Sequence, residues 1–265
     1  LNQLPNATVF MGVPTYYTRL LDAGISQSHT ATMRLFTSGS APLLPQTFSA
    51  FEEATGHTIV ERYGMTETGM NTSNPISGPR KAGTVGLPLE GVLYRIVNDE
   101  GSPVGSMTPG NLQVKGPNVL KGYWRKPEQT AASFSEDGYF DTGDIAETDE
   151  DGYVKIVGRE KDLIISGGLN VYPIEVETVI NRYPGVVESA IIGVPHRDFG
   201  EAVIAVIVCS DQSQLAPESL IEHLKTSIAN FKVPKRVIIV DQLPRNTMGK
   251  VQKNALRAQY EALFN

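Results

Sequence analysis

The chain has 265 residues, 40% of them hydrophobic and 20% charged, with a net charge of −6 and one cysteine. That composition suits a globular protein with room for one large or two smaller domains. It excludes internal disulfides and cysteine-built zinc sites, and it lacks the clustered basic charge of a nucleic-acid binder.

In chain order, residues 7–13 predict a buried strand ended by Pro14, and residues 16–21 a short helix. Residues 33–37 predict a second strand that runs into Ser38-Gly-Ser-Ala-Pro42. Residues 43–55 predict an amphipathic helix with Leu44, Phe48 and Phe51 on one face and Gly56 suited to its C-terminal cap. Ile59 and Val60 then open a third strand, which is expected to break at Gly64. Strand–helix–strand alternation implies a parallel sheet. The loops at 38–42 and 63–67 are therefore expected to line one crevice at the sheet edge, where open α/β proteins bind ligands.

From 83 to 158 the strands shorten and Gly/Pro turns multiply. Strands are predicted at 92–97, 111–114 and 153–157, in a small antiparallel β unit. Beyond it, helices are predicted at 173–182, 220–228 and 253–263, with strands at 186–194, 202–209 and 236–240. Residues 202–209 form the longest apolar run, far short of the ~20 residues of a membrane helix. Domains are expected at 1–160 and 161–265. The absence of disulfides suits a reducing, cytoplasmic setting, or an organelle matrix if the source is eukaryotic. No transmembrane segment and no nucleic-acid partner is expected. The chain opens at Leu1 on what reads as mid-domain sequence, as a piece of a longer protein would.

Four polar segments stand out. In Thr58-Ile-Val-Glu-Arg-Tyr-Gly-Met-Thr-Glu-Thr-Gly69, Tyr63 offers a flat face for a base. Thr66 and the loop N–H groups suit a phosphate, and Glu67 suits Mg²⁺, which takes hard oxygen ligands. Taken alone, the same stretch reads as an ordinary strand-to-turn connection. Tyr139-Phe-Asp-Thr-Gly-Asp144 and Gly158-Arg-Glu-Lys-Asp162 read equally as solvated turns. Lys250 follows Gly249 as in a phosphate loop, but Pro244 and Val251 stand where that motif needs Gly and Ser or Thr. Lys250 would therefore act as a mobile cation, or be one more surface lysine.

These segments, with Ser38-Gly-Ser-Ala-Pro-Leu43 at their head, occur in one order along the chain. In that order they resemble the adenylate-forming acyl-CoA synthetase superfamily, which also holds luciferases and peptide-synthetase adenylation domains. The resemblance implies the C-terminal part of a large α/β adenylation domain, with a parallel sheet and a small β-barrel-like unit, followed by a small, mobile α+β domain. It implies ATP, Mg²⁺ and CoA as partners of a small-molecule acid. Tyr63 would stack on adenine, with the backbone of Gly39, Ser40, Ala41 and Pro42 on its other side. Arg62, Gly64 and Met65 would line the nucleotide. Thr66 would bind the α-phosphate and Glu67 the metal. Asp144 would hold the ribose, helped by Arg159. Lys161 would be the hinge, and Lys250, with Thr66 and Glu67, would be catalytic. Ser166, Gly167 and Gly168 would line the CoA tunnel.

Three stretches resemble the malonyl-CoA synthetase subgroup: Met11-Gly-Val-Pro-Thr-Tyr-Tyr-Thr-Arg-Leu20, Glu61-Arg-Tyr-Gly-Met-Thr-Glu-Thr68 with Met70-Asn-Thr-Ser73, and Pro244-Arg-Asn-Thr-Met-Gly-Lys-Val251. A dicarboxylate substrate needs a cation for its second carboxylate, since burying that charge unpaired is costly. Arg19 is the first choice, Ser40 a hydroxyl donor and Arg62 the third. Arg19 reads equally as a solvated helix residue. A fatty or aromatic acid remains an alternative substrate. A luciferase-like or carrier-loading enzyme, or a non-catalytic nucleotide-binding remnant, remains an alternative of another kind.

The sequence departs from the family pattern in three places. The Gly/Ser/Thr-rich phosphate loop is absent and belongs upstream of Leu1, so this piece is expected to be inactive alone. Asn111 stands where Glu is usual. Leu169 replaces a frequent aromatic beside the CoA tunnel.

Overall fold

The computed structural model describes residues 1–210, 215–247 and 249–264. Contacts divide the chain into two compact units, Leu1–Ile156 and Val157–Asn265. The division falls just before Lys161.

Unit 1 opens with β1 (Val9–Gly12), α1 (Pro14–Asp22), α2 (Gln27–Thr30), β2 (Leu35–Ser38), α3 (Pro45–Thr55) and β3 (Val60–Met65). The predicted parallel sheet is present: β1 pairs parallel with β2, and β2 parallel with β3. Helix α3 starts on Pro45, whose missing N–H costs nothing in a first turn. It ends at Gly56, which sits in the left-handed region at φ 73°. Its buried face carries Phe48 and Phe51. Phe51 meets Phe36 and Tyr17 edge to face, with centroids 4.9 and 5.1 Å apart. Each such pair adds about 1 kcal/mol beyond the burial of its area. The Tyr17 hydroxyl donates to the Thr37 carbonyl at 2.6 Å, which locks α1 onto β2.

The expected break at Gly64 does not occur. β3 runs on to Met65, turns through residues 66–68 and returns as β4 (Gly69–Ser73), which pairs antiparallel with β3 and with β5 (Leu87–Pro88). Gly64 serves a close approach instead. A Cβ there would lie 2.0 Å from the Gly69 carbonyl oxygen.

A second sheet has the order β6 (Leu93–Val97), β7 (Gly110–Lys115), β8 (Phe140–Thr148) and β9 (Val154–Arg159), with α4 (Pro127–Ala132) between β7 and β8. It is an open four-stranded sheet and not the barrel-like unit expected. The segment that reads as a turn, Tyr139 to Asp144, lies mostly inside β8. Its buried positions include the polar Thr142 and Asp144, and that disguises the strand.

Unit 2 contains β10 (Ile164–Ser166), β11 (Leu169–Val171), α5 (Pro173–Ile180), β12 (Val186–His196), β13 (Gly200–Cys209), α6 (Pro217–Ser227), β14 (Arg236–Ile239) and α7 (Lys253–Tyr260). Strands β12 and β13 pair antiparallel, and β14 joins β13 in parallel. Val203, Ala205 and Ile207 pack in a cluster with α5 and α6 residues. Ala202, Ile204 and Val206 pack in another with Leu256 of α7. Both faces of β13 are thus buried, which explains its unbroken apolar run.

Candidate active site

In unit 1, Gly12, Ser38 and Glu61 stand side by side across β1, β2 and β3. The segments that follow them leave from one edge of the sheet. The loop after β2 is strained, because Ser40 holds φ 69°, a region that disfavours a side chain. Such strain persists only where the surroundings over-determine it, and it clusters at binding sites. Gly39 is buried, whereas Ser40, Ala41 and Pro42 are exposed. A Cβ on Gly39 would meet Arg62 Nη1 at 2.8 Å, so the guanidinium lies directly against this loop. Arg62 Nη1 also approaches Met70 Sδ at 3.3 Å. Burial pushes the Tyr17 phenol above its ordinary value, and the nearby Arg62 charge opposes that rise.

Tyr63 and Asp144 come together. The Tyr63 hydroxyl donates to Asp144 Oδ2 at 2.5 Å. Asp144 is 9% exposed and reaches this position through an irregularity in β8. The β7–β8 register shifts between Asn111 and Gln113. Opposite that shift, the Thr142 hydroxyl donates to the Leu112 carbonyl at 2.7 Å and accepts the Asp144 N–H. A bulge of this kind re-aims a side chain. Asn111, the departure from the family pattern, lies beside it.

Thr66 is exposed at the β3–β4 turn. Glu67, next to it, is half-buried and accepts the Tyr123 hydroxyl at 3.3 Å. Burial and the Glu67 carboxylate push that phenol up. The turn is held from the same side by the Leu120 N–H, which donates to the Glu67 carbonyl at 2.7 Å, and by Asn118 Nδ2, which donates to the Thr68 carbonyl at 2.7 Å. The sequence reading missed all three of these residues. Gly122-Tyr123-Trp124, an aromatic pair after a glycine, was the available signal. Ser38 Oγ and Thr72 Oγ1 are buried on the strands flanking β3, without a hydrogen-bond partner among the described residues. The edge is therefore rich in polar groups. Glu67 is a hard oxygen donor held from one side only, which fits a magnesium ligand.

Arg19 is not brought to this loop by any contact described. Tyr17 faces the core, and Arg19, two residues on, is turned about 200° round the helix. It is exposed and lines a shallow hollow of 390 Å³ with Phe10, Met11, Tyr16 and Leu20.

Unit 2 carries the remaining candidates. Arg159 is exposed at the end of β9, and Lys161 is exposed in a short 3₁₀ turn over Glu160–Asp162. Asp162 pairs with Arg257 at 2.8 Å. Ser166 is 4% exposed. Gly167 and Gly168, at φ 61° and 79°, make the two-residue turn between β10 and β11. Positive φ at both positions is what such hairpins need. The Gly167 N–H donates to the Phe199 carbonyl at 2.8 Å.

Lys250 closes a loop built on Asn246. The Asn246 side chain accepts the Lys250 N–H at 2.9 Å, and the Asn246 N–H donates to the Lys250 carbonyl at 3.0 Å. Arg245 donates to the Gly249 carbonyl at 2.6 Å and pairs with Glu188. The backbone under Lys250 is thus fixed from its own unit. Met248 of the same motif lies outside the described residues.

Two family models match this chain. One, for AMP-binding enzymes, covers residues 4–124. The other, for the AMP-binding enzyme C-terminal domain, covers residues 175–250. A malonate–CoA ligase of Arabidopsis thaliana is 42% identical over 96% of this chain and 45% of its own length. A long-chain-fatty-acid–CoA ligase of Yersinia pestis is 39% identical over 94% of this chain and 44% of its own. The crystal structure of ATP-bound MatB from Rhodopseudomonas palustris matches with a TM-score of 0.97 and 53% identity, over all of this chain and 53% of that one. The chain spans about half the length of the relatives it matches.

Proposed function

This chain belongs to the AMP-binding enzyme family, and on that premise we propose that the protein carrying it is an acid–CoA ligase with malonate as its substrate. The observation that carries the reading is the Tyr63–Asp144 hydrogen bond, which joins two of the family segments into one site beside the Glu67 turn. In the proposed reaction, a carboxylate oxygen of the acid attacks the α-phosphorus of ATP and pyrophosphate leaves. The CoA thiol then attacks the acyl carbon of the adenylate, loses its proton, and AMP departs.

The residues divide this work. Tyr63 offers its ring to adenine, and Asp144 its carboxylate to the ribose. Arg159 assists at the ribose. Thr66 and the turn N–H groups donate to the α-phosphate. Lys250 is the cation for the charge that builds on the phosphate oxygens, where fixed donors matter most. Glu67 would hold magnesium, which when bound neutralises phosphate charge. Lys161 is the hinge, and Ser166, Gly167 and Gly168 line the thiol path. The Gly/Ser/Thr-rich loop for the outer phosphates would come from the rest of the full-length protein, so this piece alone is inactive.

Malonate is favoured by the relative named for it, but a fatty-acid ligase of nearly equal identity makes the acyl pocket decisive. For the distal carboxylate we favour Arg62, which lies against Gly39, over the exposed Arg19, with Ser40 as a hydroxyl donor. The test is pyrophosphate release by the full-length protein with ATP, Mg²⁺ and CoA over malonate, methylmalonate, acetate, octanoate and benzoate. Malonate should lead, Arg62→Ala should remove that lead, and Arg19→Ala should not. A lead for octanoate or benzoate would defeat the malonate assignment. Loss of the lead on Arg19→Ala alone would return the anchor to α1.

A further inference from the structure

Glu61 stands in β3 directly before Arg62 and Tyr63, yet the proposed chemistry gives it no part. It is 5% exposed. Burial pushes its carboxyl up to about 7, against the pull of backbone N–H groups from Gly83 and Leu43. A buried carboxyl is costly, and an apolar residue would fill a core position better. Its placement explains why it is there.

Glu61 pairs with Ser38 across the β2–β3 ladder. Leu43 lies at the far end of the loop that begins after Ser38, and its N–H is turned toward the Glu61 carboxyl and favours its charged form. The strand thus holds the start of this loop by its ladder and the end by one side chain. Gly83, whose N–H donates to Glu61 Oε1 at 3.2 Å, brings in a third segment. Neighbouring side chains on a strand point to opposite faces. The Arg62 guanidinium packs on Gly39. The two residues therefore grip the two ends of the loop, and the strained Ser40 lies between them.

We propose that Glu61 is a positioning residue, whose carboxyl clamps the loop at residues 39–43 in the shape that forms one wall of the nucleotide and acyl site. This rests on the nucleotide-binding reading above. Glu61 touches no reacting atom. It acts through the Leu43 and Gly83 N–H groups, which only an acceptor at this position can hold.

The test compares full-length protein carrying Glu61→Ala, Glu61→Gln or Phe51→Leu with the parent. ATP is titrated calorimetrically in magnesium buffer, and thermal melting is followed in parallel. Phe51→Leu trims the layer beneath the sheet and stands for a purely structural loss. Glu61→Ala should weaken ATP binding ~10-fold or more. Glu61→Gln keeps one acceptor oxygen and should lose less. Phe51→Leu, an apolar exchange that removes no hydrogen-bonding group from the loop, should stay within ~2-fold even where its melting temperature falls as far.

Unchanged ATP binding in Glu61→Ala overturns the proposal, as does an equal loss in Phe51→Leu at matched melting temperature. If Glu61→Ala does not fold, Glu61→Gln decides: weaker ATP binding at near-parental melting supports the proposal, and parental binding overturns it. Turnover is read separately. A parent that binds ATP but releases no pyrophosphate with any acid defeats the ligase reading and leaves the ATP titration to judge Glu61. A parent that does not bind ATP overturns both.

Discussion

The Tyr63 hydroxyl donates to Asp144 Oδ2 at 2.5 Å across 81 residues of chain. Tyr63 comes from the β3–β4 hairpin and Asp144 from the irregularity in β8, so one hydrogen bond ties both sheets of unit 1 to the same site. The phenol keeps the carboxylate aimed, and the ring face beyond it packs partly against the apolar cluster of the second sheet.

Tyr63→Phe keeps that face and removes the donor. A hydrogen bond to a charged group contributes about 2 kcal/mol. ATP should therefore bind the full-length variant up to ~30-fold more weakly, with the loss assigned to Asp144 misplacement. Asp144→Asn in the Tyr63→Phe background should add less than it does alone, because the two share one interaction. Calorimetric titration of all four forms measures this coupling, and strict additivity would show that the bond is incidental.

Gly64→Ala should be severe. The added Cβ would lie 2.0 Å from the Gly69 carbonyl oxygen, and backbone on both strands must move. Overpacking of this kind costs ~1–3 kcal/mol or more. A Cβ at Gly69 would meet nothing within 4 Å among the described residues, and φ is 59°. Asn tolerates that region, so Gly69→Asn should cost less than ~1 kcal/mol. Urea unfolding of the two variants should separate them clearly.

Glu61 gives a pH dependence of stability with a defined sign. Its folded-state carboxyl titrates near 7, whereas in the unfolded chain it titrates at about 4.3. Between these values the folded state holds the extra proton, so stability falls as pH rises through that window. The fall is about 4 kcal/mol at most. Glu61→Gln should remove this slope. The measurement is unfolding free energy from pH 5 to 8, parent minus variant. A difference that grows in the parent's favour with pH would contradict the sign.

Lys250→Ala in the full-length protein should lower the rate of pyrophosphate release by ~100-fold or more, the scale for losing a preplaced charge donor in the transition state. Melting should change little, because the fold of its loop depends on Asn246 and Arg245 and not on the amine. Thioester formation from a supplied acyl-adenylate should be spared. Equal loss in both steps would remove Lys250 from the adenylation role.

Much of the architecture was legible in the sequence. β13 announced itself because both of its faces are buried, which leaves no polar position to interrupt Ala202 to Cys209. α3 was readable from Phe48, Phe51 and Gly56, whose spacing is the helical period closed by a left-handed cap. β8 was misread, because Asp141, Thr142 and Asp144 put polar groups where an alternating pattern would mark a strand. The supposed break at Gly64 was a close approach, and no local pattern distinguishes a glycine that turns from one that makes room.

For the site, the residue types that suit a base, a phosphate and a metal were visible as ordered segments, since local chemistry is written residue by residue. What the sequence could not say is which of them meet. The Tyr63–Asp144 bond, the Tyr123 hydroxyl on Glu67, Arg62 against Gly39 and Arg19 turned outward all depend on register and on which face of an element a side chain occupies. A one-residue slip in β3 would exchange Glu61 and Arg62 between faces. The sequence by itself determined the inventory of chemical groups and the two-unit order in which they come. Only the tertiary structure decided their pairings, because strand register and helix phase are set by the packing of the whole layer.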